Sequence, residues 1–199
     1  MFEYLVFVGV VIGFTFGYLP YIKDILRGKT KPNMVTWLMW SIAPLIGSIA
    51  AVVDGVGWAV LPTLFNGFLP LIVFVISFVN KNSYWKLEKF DYLCGFFSAM
   101  ALIFWAITKE PVIAIIFAII SDAFAAMPTL IKSWKYPETE TMILYMVSIF
   151  VNATSFAAIK VWNFSSIGFP MYLTIINMLL VSAILRGRFI KNKGFKVDL

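Results

Sequence analysis

"GYLPYIKDILRGKTKP" (residues 17–32) and "AAMPTLIKSWKYP" (residues 125–137) decide how this chain is organised. Each is an apolar run that reaches a proline, Pro20 or Pro128, and then passes into a basic turn holding a second proline, Pro32 or Pro137. Two such stretches in the same order point to an internal repeat, the organisation to look for before any other.

The composition says what solvent the repeat lives in. Of 199 residues, 61% are hydrophobic and only 13% are charged, and the mean hydropathy is +0.91. A soluble domain carries roughly a quarter charged residues, so the expected solvent is lipid. With no histidine and a single cysteine, Cys94, the chain lacks disulfides, Cys/His metal sites and nucleophiles paired with histidine. Cys94 reads as apolar filler. No cofactor, no metal and no enzymatic activity is expected. The first residues, "MFEYLVFVGVVIGF", have neither a basic leader nor a small-residue cleavage site, and read as a retained first span.

A membrane-crossing helix needs about 20 mainly apolar residues. Seven segments qualify: 4–22, 34–53, 58–79, 91–108, 111–131, 141–160 and 167–186. Turn or charge chemistry separates them: "RGKTKPN", "DGVG", "NKNSYWKLEKF", "KEP", "KYPETE" and "NFSSIGFP". Threaded this way, Lys109 and Lys160 fall on the side of the N-terminus and the other fourteen Lys and Arg fall on the opposite side. The positive-inside rule then puts the N-terminus outside and the C-terminus in the cytoplasm. The expected location is a bacterial or archaeal cytoplasmic membrane. The basic tail, 187–199, reads as a topology determinant, not as a nucleic-acid surface.

The repeat extends beyond the prolines. Thr63 and Asn66 in "TLFN" are answered by Thr174 and Asn177 in "TIIN", and the seven-residue pair Ser41 and Ser48 by Ser148 and Ser155. From proline to asparagine is 46 residues in the first copy and 49 in the second. Residues 1–80 and 111–190 therefore read as two three-helix units, with 91–108 as a linking helix. One linking span gives both units the same orientation, about an axis along the membrane normal.

An all-α, 3+1+3 chain with its N-terminus outside, a proline at the inner end of spans 1 and 5, and an asparagine midway along spans 3 and 7 resembles the SWEET and PQ-loop transporter superfamily. The Pro-Gln pair of PQ-loop proteins is Pro20-Tyr21 and Pro128-Thr129 here, and where the family often has proline in spans 2 and 6 this chain has Pro44 and, in span 6, Asn152. The resemblance implies that Asn66 and Asn177 face one another across a central solute site. It also implies that Pro20, Pro128 and Pro44 act as flex points for alternating access.

Depth along each span places Asn66, Asn177, Asn152 and Asp122 within about one helical turn of the bilayer centre. Polar side chains in hydrocarbon turn toward the bundle or toward water, so the four are expected to border one cavity, with Thr63, Thr174 and Ser148 beside them. Interhelical glue is the other use of such asparagines. Asp122 breaks the repeat, because Phe14 stands at its counterpart, six residues before Pro20. Three roles are open to it: a proton-coupling site, a partner for a cationic group of the solute, or a neutral acid making a fixed hydrogen bond. Trp37, Trp40 and Tyr145 could stack on a ring-bearing solute or serve as belt and core packing.

The function expected is an alternating-access carrier or facilitator for a small polar solute, a sugar in the first instance, with an amino acid or vitamin as the alternative and protons as a candidate co-substrate through Asp122. A non-transporting seven-helix receptor or structural protein is the reading from another class. Partners are the solute and the lipid bilayer, with no nucleic acid. A two-unit chain can form a pathway alone, so monomer and homo-oligomer both remain open.

Overall fold

A computed structural model describes residues 2–53, 61–108, 110–157 and 162–192. The expected turn at 54–57, Trp58, Lys109, Lys160 and the tail from 193 lie outside the described residues, as do the side chains of Ser48, Thr63 and Ser155. Among the described residues the fold is all-helical. The first rod has three parts: α1 (Phe2–Ile12), a π-helical stretch (Gly13–Tyr18) and α2 (Leu19–Leu26). There follow α3 (Met34–Val53), α4 (Leu61–Val79), α5 (Lys89–Ile107), α6 (Pro111–Lys135), α7 (Met142–Ala157) and α8 (Phe164–Asn192), with short 3-10 turns at Lys81–Ser83 and Pro137–Thr139.

Among the described residues, four stretches are long and apolar enough to cross a membrane: Phe7–Leu26, Lys89–Ile107, Ile115–Lys135 and Ile167–Phe189. Leu64–Val79 and Met142–Ala153 are shorter apolar helices. The chain is thus a helical membrane protein. The bundle is inverted relative to a water-soluble one in what it shows outward. Phe96, Phe97, Ile103 and Phe104 of α5 are exposed, as befits side chains whose solvent is hydrocarbon.

Local chemistry sets the ends. Gly28, at φ 71, closes α2: its N–H reaches the Ile25 carbonyl at 2.9 Å and the Lys29 N–H reaches Asp24 at 2.9 Å, a pairing that needs a left-handed residue at that point. Asn33 caps α3, its Oδ1 accepting from the N–H of Val35 at 3.1 Å and of Thr36 at 3.4 Å. Glu88 and Asp91 form a capping box at the start of α5, and Pro111 occupies the first turn of α6.

Several ends differ from the sequence reading: the first rod runs to Leu26, α5 starts at Lys89, and α8 runs to Asn192, so residues 187–192 of the expected tail are helical. α8 starts at Phe164, so most of "NFSSIGFP" is helix; Pro170 is carried inside it, as membrane helices tolerate. α6 runs on to Lys135 and takes Lys132 with it into the bundle, where that side chain is 2% exposed. A lysine expected to mark the basic flank is instead an interior group, because an acid meets it there.

α3 packs along α4, α5 along α6, and α8 lies between α6 and α7. The first rod packs on α7, and α3 also touches α6. At Gly67 of α4 an added Cβ would stand 2.7 Å from Leu45 Cγ and 2.8 Å from Leu45 N, so the backbones of α3 and α4 meet there directly, the approach that small residues permit between membrane helices. Ser98 and Ser121 join α5 to α6 at 3.1 Å. A buried cluster among the described residues, Tyr21, Ile25, Trp37, Val73, Leu144, Tyr145, Leu180 and Ile184, gathers α2, α3, α4, α7 and α8 toward the basic end of the bundle. Trp37 and Tyr145 are each 1% exposed, so core packing accounts for them. Their rings run in a chain: Trp37 to Trp40 at 5.4 Å, Trp37 to Tyr21 at 5.1 Å, and Tyr21 to Tyr145 at 6.4 Å.

Candidate functional site

Asp122 lies on α6, between the tight Ser121 contact to α5 and the proline at 128. Its Oδ2 accepts a hydrogen bond from the hydroxyl of Tyr172 on α8 at 2.8 Å. The Trp40 indole of α3 acts on the same carboxylate, and its buried N–H makes no hydrogen bond of good geometry among the described residues. Three helices therefore supply one acid, one phenol and one indole to a single locality. An acceptor oxygen beside aromatic faces and a spare N–H can hold a hydroxyl- or amine-bearing solute, or pass a proton.

The face predicted from the helical period is present. Asp122, Ala126 and Thr129 descend α6, and Ala126 and Thr129 are fully buried. Thr129 donates to Thr36 Oγ1 at 2.9 Å and so ties α6 to α3 one level below the acid.

The other sequence-predicted residues are placed separately. Asn177 is partly buried and its side-chain amide donates to the Leu173 carbonyl of its own helix at 2.7 Å. Thr174 does the same to Pro170 at 2.9 Å. Asn66 is exposed on α4, and Asn152 and Ser148 are partly buried on α7. No hydrogen bond among the described residues links Asn66, Asn152 and Asn177 to one another or to Asp122. Pro44 and Pro128 sit inside α3 and α6 without ending them, and Pro20 follows the π-helical stretch at the start of α2. An open, apolar groove runs along α8 past Phe164, Ile167, Met171, Tyr172 and Ile175; of the site residues it includes only Tyr172.

At the basic end lies a second polar assembly. Glu140, 2% exposed, pairs with Lys132 through Oε1, and its Oε2 accepts from Tyr21 at 2.9 Å and Tyr145 at 3.0 Å. Lys132 also donates to the Lys31 carbonyl, and its ammonium lies 5.2 Å from the centre of the Trp85 ring. Thr141 is bonded to Thr30 and donates to Asp24 Oδ2 at 2.8 Å. Sequence reasoning took Lys132 for a topology charge and "KYPETE" for a plain turn. The available signal was the glutamate eight residues beyond the lysine, with Tyr145 five residues further on.

No family model, curated protein or solved structure matches this chain.

Proposed function

We propose that the chain is an alternating-access carrier or facilitator of the SWEET and PQ-loop plan, moving a small polar solute between two three-helix units. On this reading the first rod, α3 and α4 form one unit, α5 is the linker, and α6, α7 and α8 form the other. Together they make seven spans, with the N-terminus outside and the basic end in the cytoplasm.

The observation that carries the reading is an exchange symmetry in the packing. The first rod touches α7 and α3 touches α6. If the first rod corresponds to α6, and α3 to α7, these two contacts are each other's copies. The lengths agree: α3 begins fourteen residues after Pro20, and α7 begins fourteen residues after Pro128. The contact chemistry agrees too, since Tyr21 follows Pro20 and reaches Glu140 and Tyr145, while Thr129 follows Pro128 and reaches Thr36. Two like units meeting across such a seam can rock about it, which is how repeat transporters expose a central site to either side.

The site between the units is centred on Asp122, Tyr172 and Trp40, with Asn66, Asn177, Asn152, Thr63, Thr174 and Ser148 as candidates to line it when the units part. Aromatic rings beside hydrogen-bonding groups suit a sugar first, and an amino acid or vitamin as the alternative. Proton coupling through Asp122 is the second reading, favoured by the acid's place in one repeat only, opposite Phe14. The test is uptake into proteoliposomes across sugars, amino acids and vitamins, with and without an imposed pH gradient. A selective, saturable uptake supports the reading. No uptake of any panel member by demonstrably folded protein refutes it and favours a receptor or structural role.

A further inference from the structure

We propose that Glu140, gripped by Lys132, Tyr21 and Tyr145, is the latch that shuts the cytoplasmic mouth of the pathway, and that this structure holds the latch closed. The proposal rests on the carrier reading for its two units and its sides.

The assembly is built on the second unit, where Glu140 holds Lys132 and Tyr145, and it bridges the seam through Tyr21 and the residues around Lys31. Tyr21 comes from the first unit; Glu140, Lys132 and Tyr145 come from the second. Lys132 reaches across to the Lys31 carbonyl, and the Lys31 N–H returns a bond to the Thr139 carbonyl at 2.9 Å. Thr141 crosses to Thr30 and to Asp24. The repeat supplies opposite charges to matching places, Asp24 and Lys132 each lying four residues after the repeat proline. Beside this layer stand the Tyr21, Trp37 and Tyr145 rings and the Thr129 and Thr36 pair, and beyond them on α6 come Ala126 and Asp122. Reaching Asp122 from the basic end means parting these layers in turn.

A lasting structural role explains this chemistry poorly. A buried ion pair adds little stability over apolar packing of the same size, because both charges forgo their hydration. That hydration is returned when the mouth opens and water reaches Lys132 and Glu140. The ion pair thus makes separation cheaper than splitting an apolar seam would be, while the shut geometry stays sharply defined. A device that closes one arrangement and can be released needs that combination.

The experiment places a single reporter cysteine, Ala126→Cys, in a Cys94→Ser background, and measures its rate of modification by a membrane-impermeant maleimide added from each side of oriented vesicles. With the latch intact, cytoplasmic modification is slow. Lys132→Met or Glu140→Gln is expected to raise the cytoplasmic rate at least about tenfold while leaving the external rate unchanged or lower. The exchanged pair Lys132→Glu with Glu140→Lys is expected to return it to within about threefold of the parent. The milder Tyr21→Phe with Tyr145→Phe gives a smaller rise in the same direction, and reads the latch even where a charge variant folds poorly. Unchanged cytoplasmic rates in folded variants overturn the proposal, as does an equal rise from both sides, the mark of general loosening. The labelling needs no solute. Unchanged labelling alongside intact uptake sinks the latch and leaves the carrier; one-sided opening without uptake of any solute sinks the carrier and leaves a gated core.

Discussion

Replacing Lys132 by Met tests how the basic end is held together. The substitution keeps the length of the side chain and removes its charge. Glu140, 2% exposed, is then left as a buried carboxylate without its counter-ion. Breaking a buried pair on one side costs about 3–5 kcal/mol. Here the lower end applies, since the hydroxyls of Tyr21 at 2.9 Å and Tyr145 at 3.0 Å still serve Oε2, and a hydrogen bond to a charged group is worth about 1.5–3 kcal/mol. Taking about 3 kcal/mol, and about 2–4 °C per kcal/mol for a chain of this size, the melting temperature falls by about 6–12 °C. Glu140→Gln strands an ammonium that retains the Lys31 carbonyl and the Trp85 ring, so its loss should be somewhat smaller. Combining Lys132→Met with Glu140→Gln leaves no buried charge, and its loss should be well below the sum of the two, by about 2 kcal/mol or more. Thermal unfolding in a mild detergent, followed by loss of monodisperse protein, reads all four proteins. A Lys132→Met protein melting within about 2 °C of the parent on such scans, or losses that simply add, would refute the claim that these two groups form a buried, coupled pair.

Asp122→Asn should abolish the response of uptake to a pH gradient while sparing solute exchange, if the acid carries the proton; an unaltered gradient response excludes that role. Tyr172→Phe removes the donor 2.8 Å from Asp122 and should weaken solute affinity by about 10- to 150-fold, in line with one lost charge-assisted bond of about 1.5–3 kcal/mol, as read by KM over a pH series. Gly67→Ala pushes a Cβ into Leu45 of α3 and should destabilise by about 1–3 kcal/mol, measured as a lower melting temperature. Gly28→Ala places a side chain at φ 71 and should cost about 1 kcal/mol, read in the same scans.

Helix placement was legible in the sequence because hydrocarbon imposes one rule on every residue of a span. The segment 34–53 coincides with α3, and 111–131 shares its start with α6. The ends were harder. α6 continues to Lys135 because the aliphatic stem of Lys132 stays in the bundle and its ammonium finds Glu140 there; a hydropathy rule, which charges a lysine at full cost, stops before it. Likewise Phe164 and Pro170 at the head of α8 look like a turn by composition, but in lipid an unpaired backbone is dearer than an imperfect helix. Gly28 and Asn33 lie in "RGKTKPN", which the sequence marks only as a break between spans; what they cap is apparent once the carbonyl of Ile25 and the amide of Thr36 are in place.

The candidate site was legible by half. Asp122 announces itself, because an acid deep in an apolar helix must be accommodated somewhere. Its partners do not. Tyr172 is one of many aromatics in the chain, and nothing in the spacing of α8 marks it over Phe169 three residues earlier, whose ring lies 6.1 Å away. The asparagines show the converse. Asn66 and Asn177 share a repeat position, but Asn177 spends its amide on its own helix at Leu173 and Asn66 is exposed. A repeat specifies equivalent backbone places; it does not oblige equivalent side chains to hold equivalent partners in one conformational state. In a carrier that is the expected asymmetry. On the proposed carrier reading, with the basic end closed by Glu140, groups on α4 and α8 have no need to meet and would converge only in the state in which that end has opened. Comparing solute protection of an Asn66→Cys reporter in the parent and in Glu140→Gln therefore separates the two accounts: protection that appears or strengthens only when the latch is released places Asn66 in the pathway, and equal, solute-independent labelling in both assigns it to the lipid-facing surface.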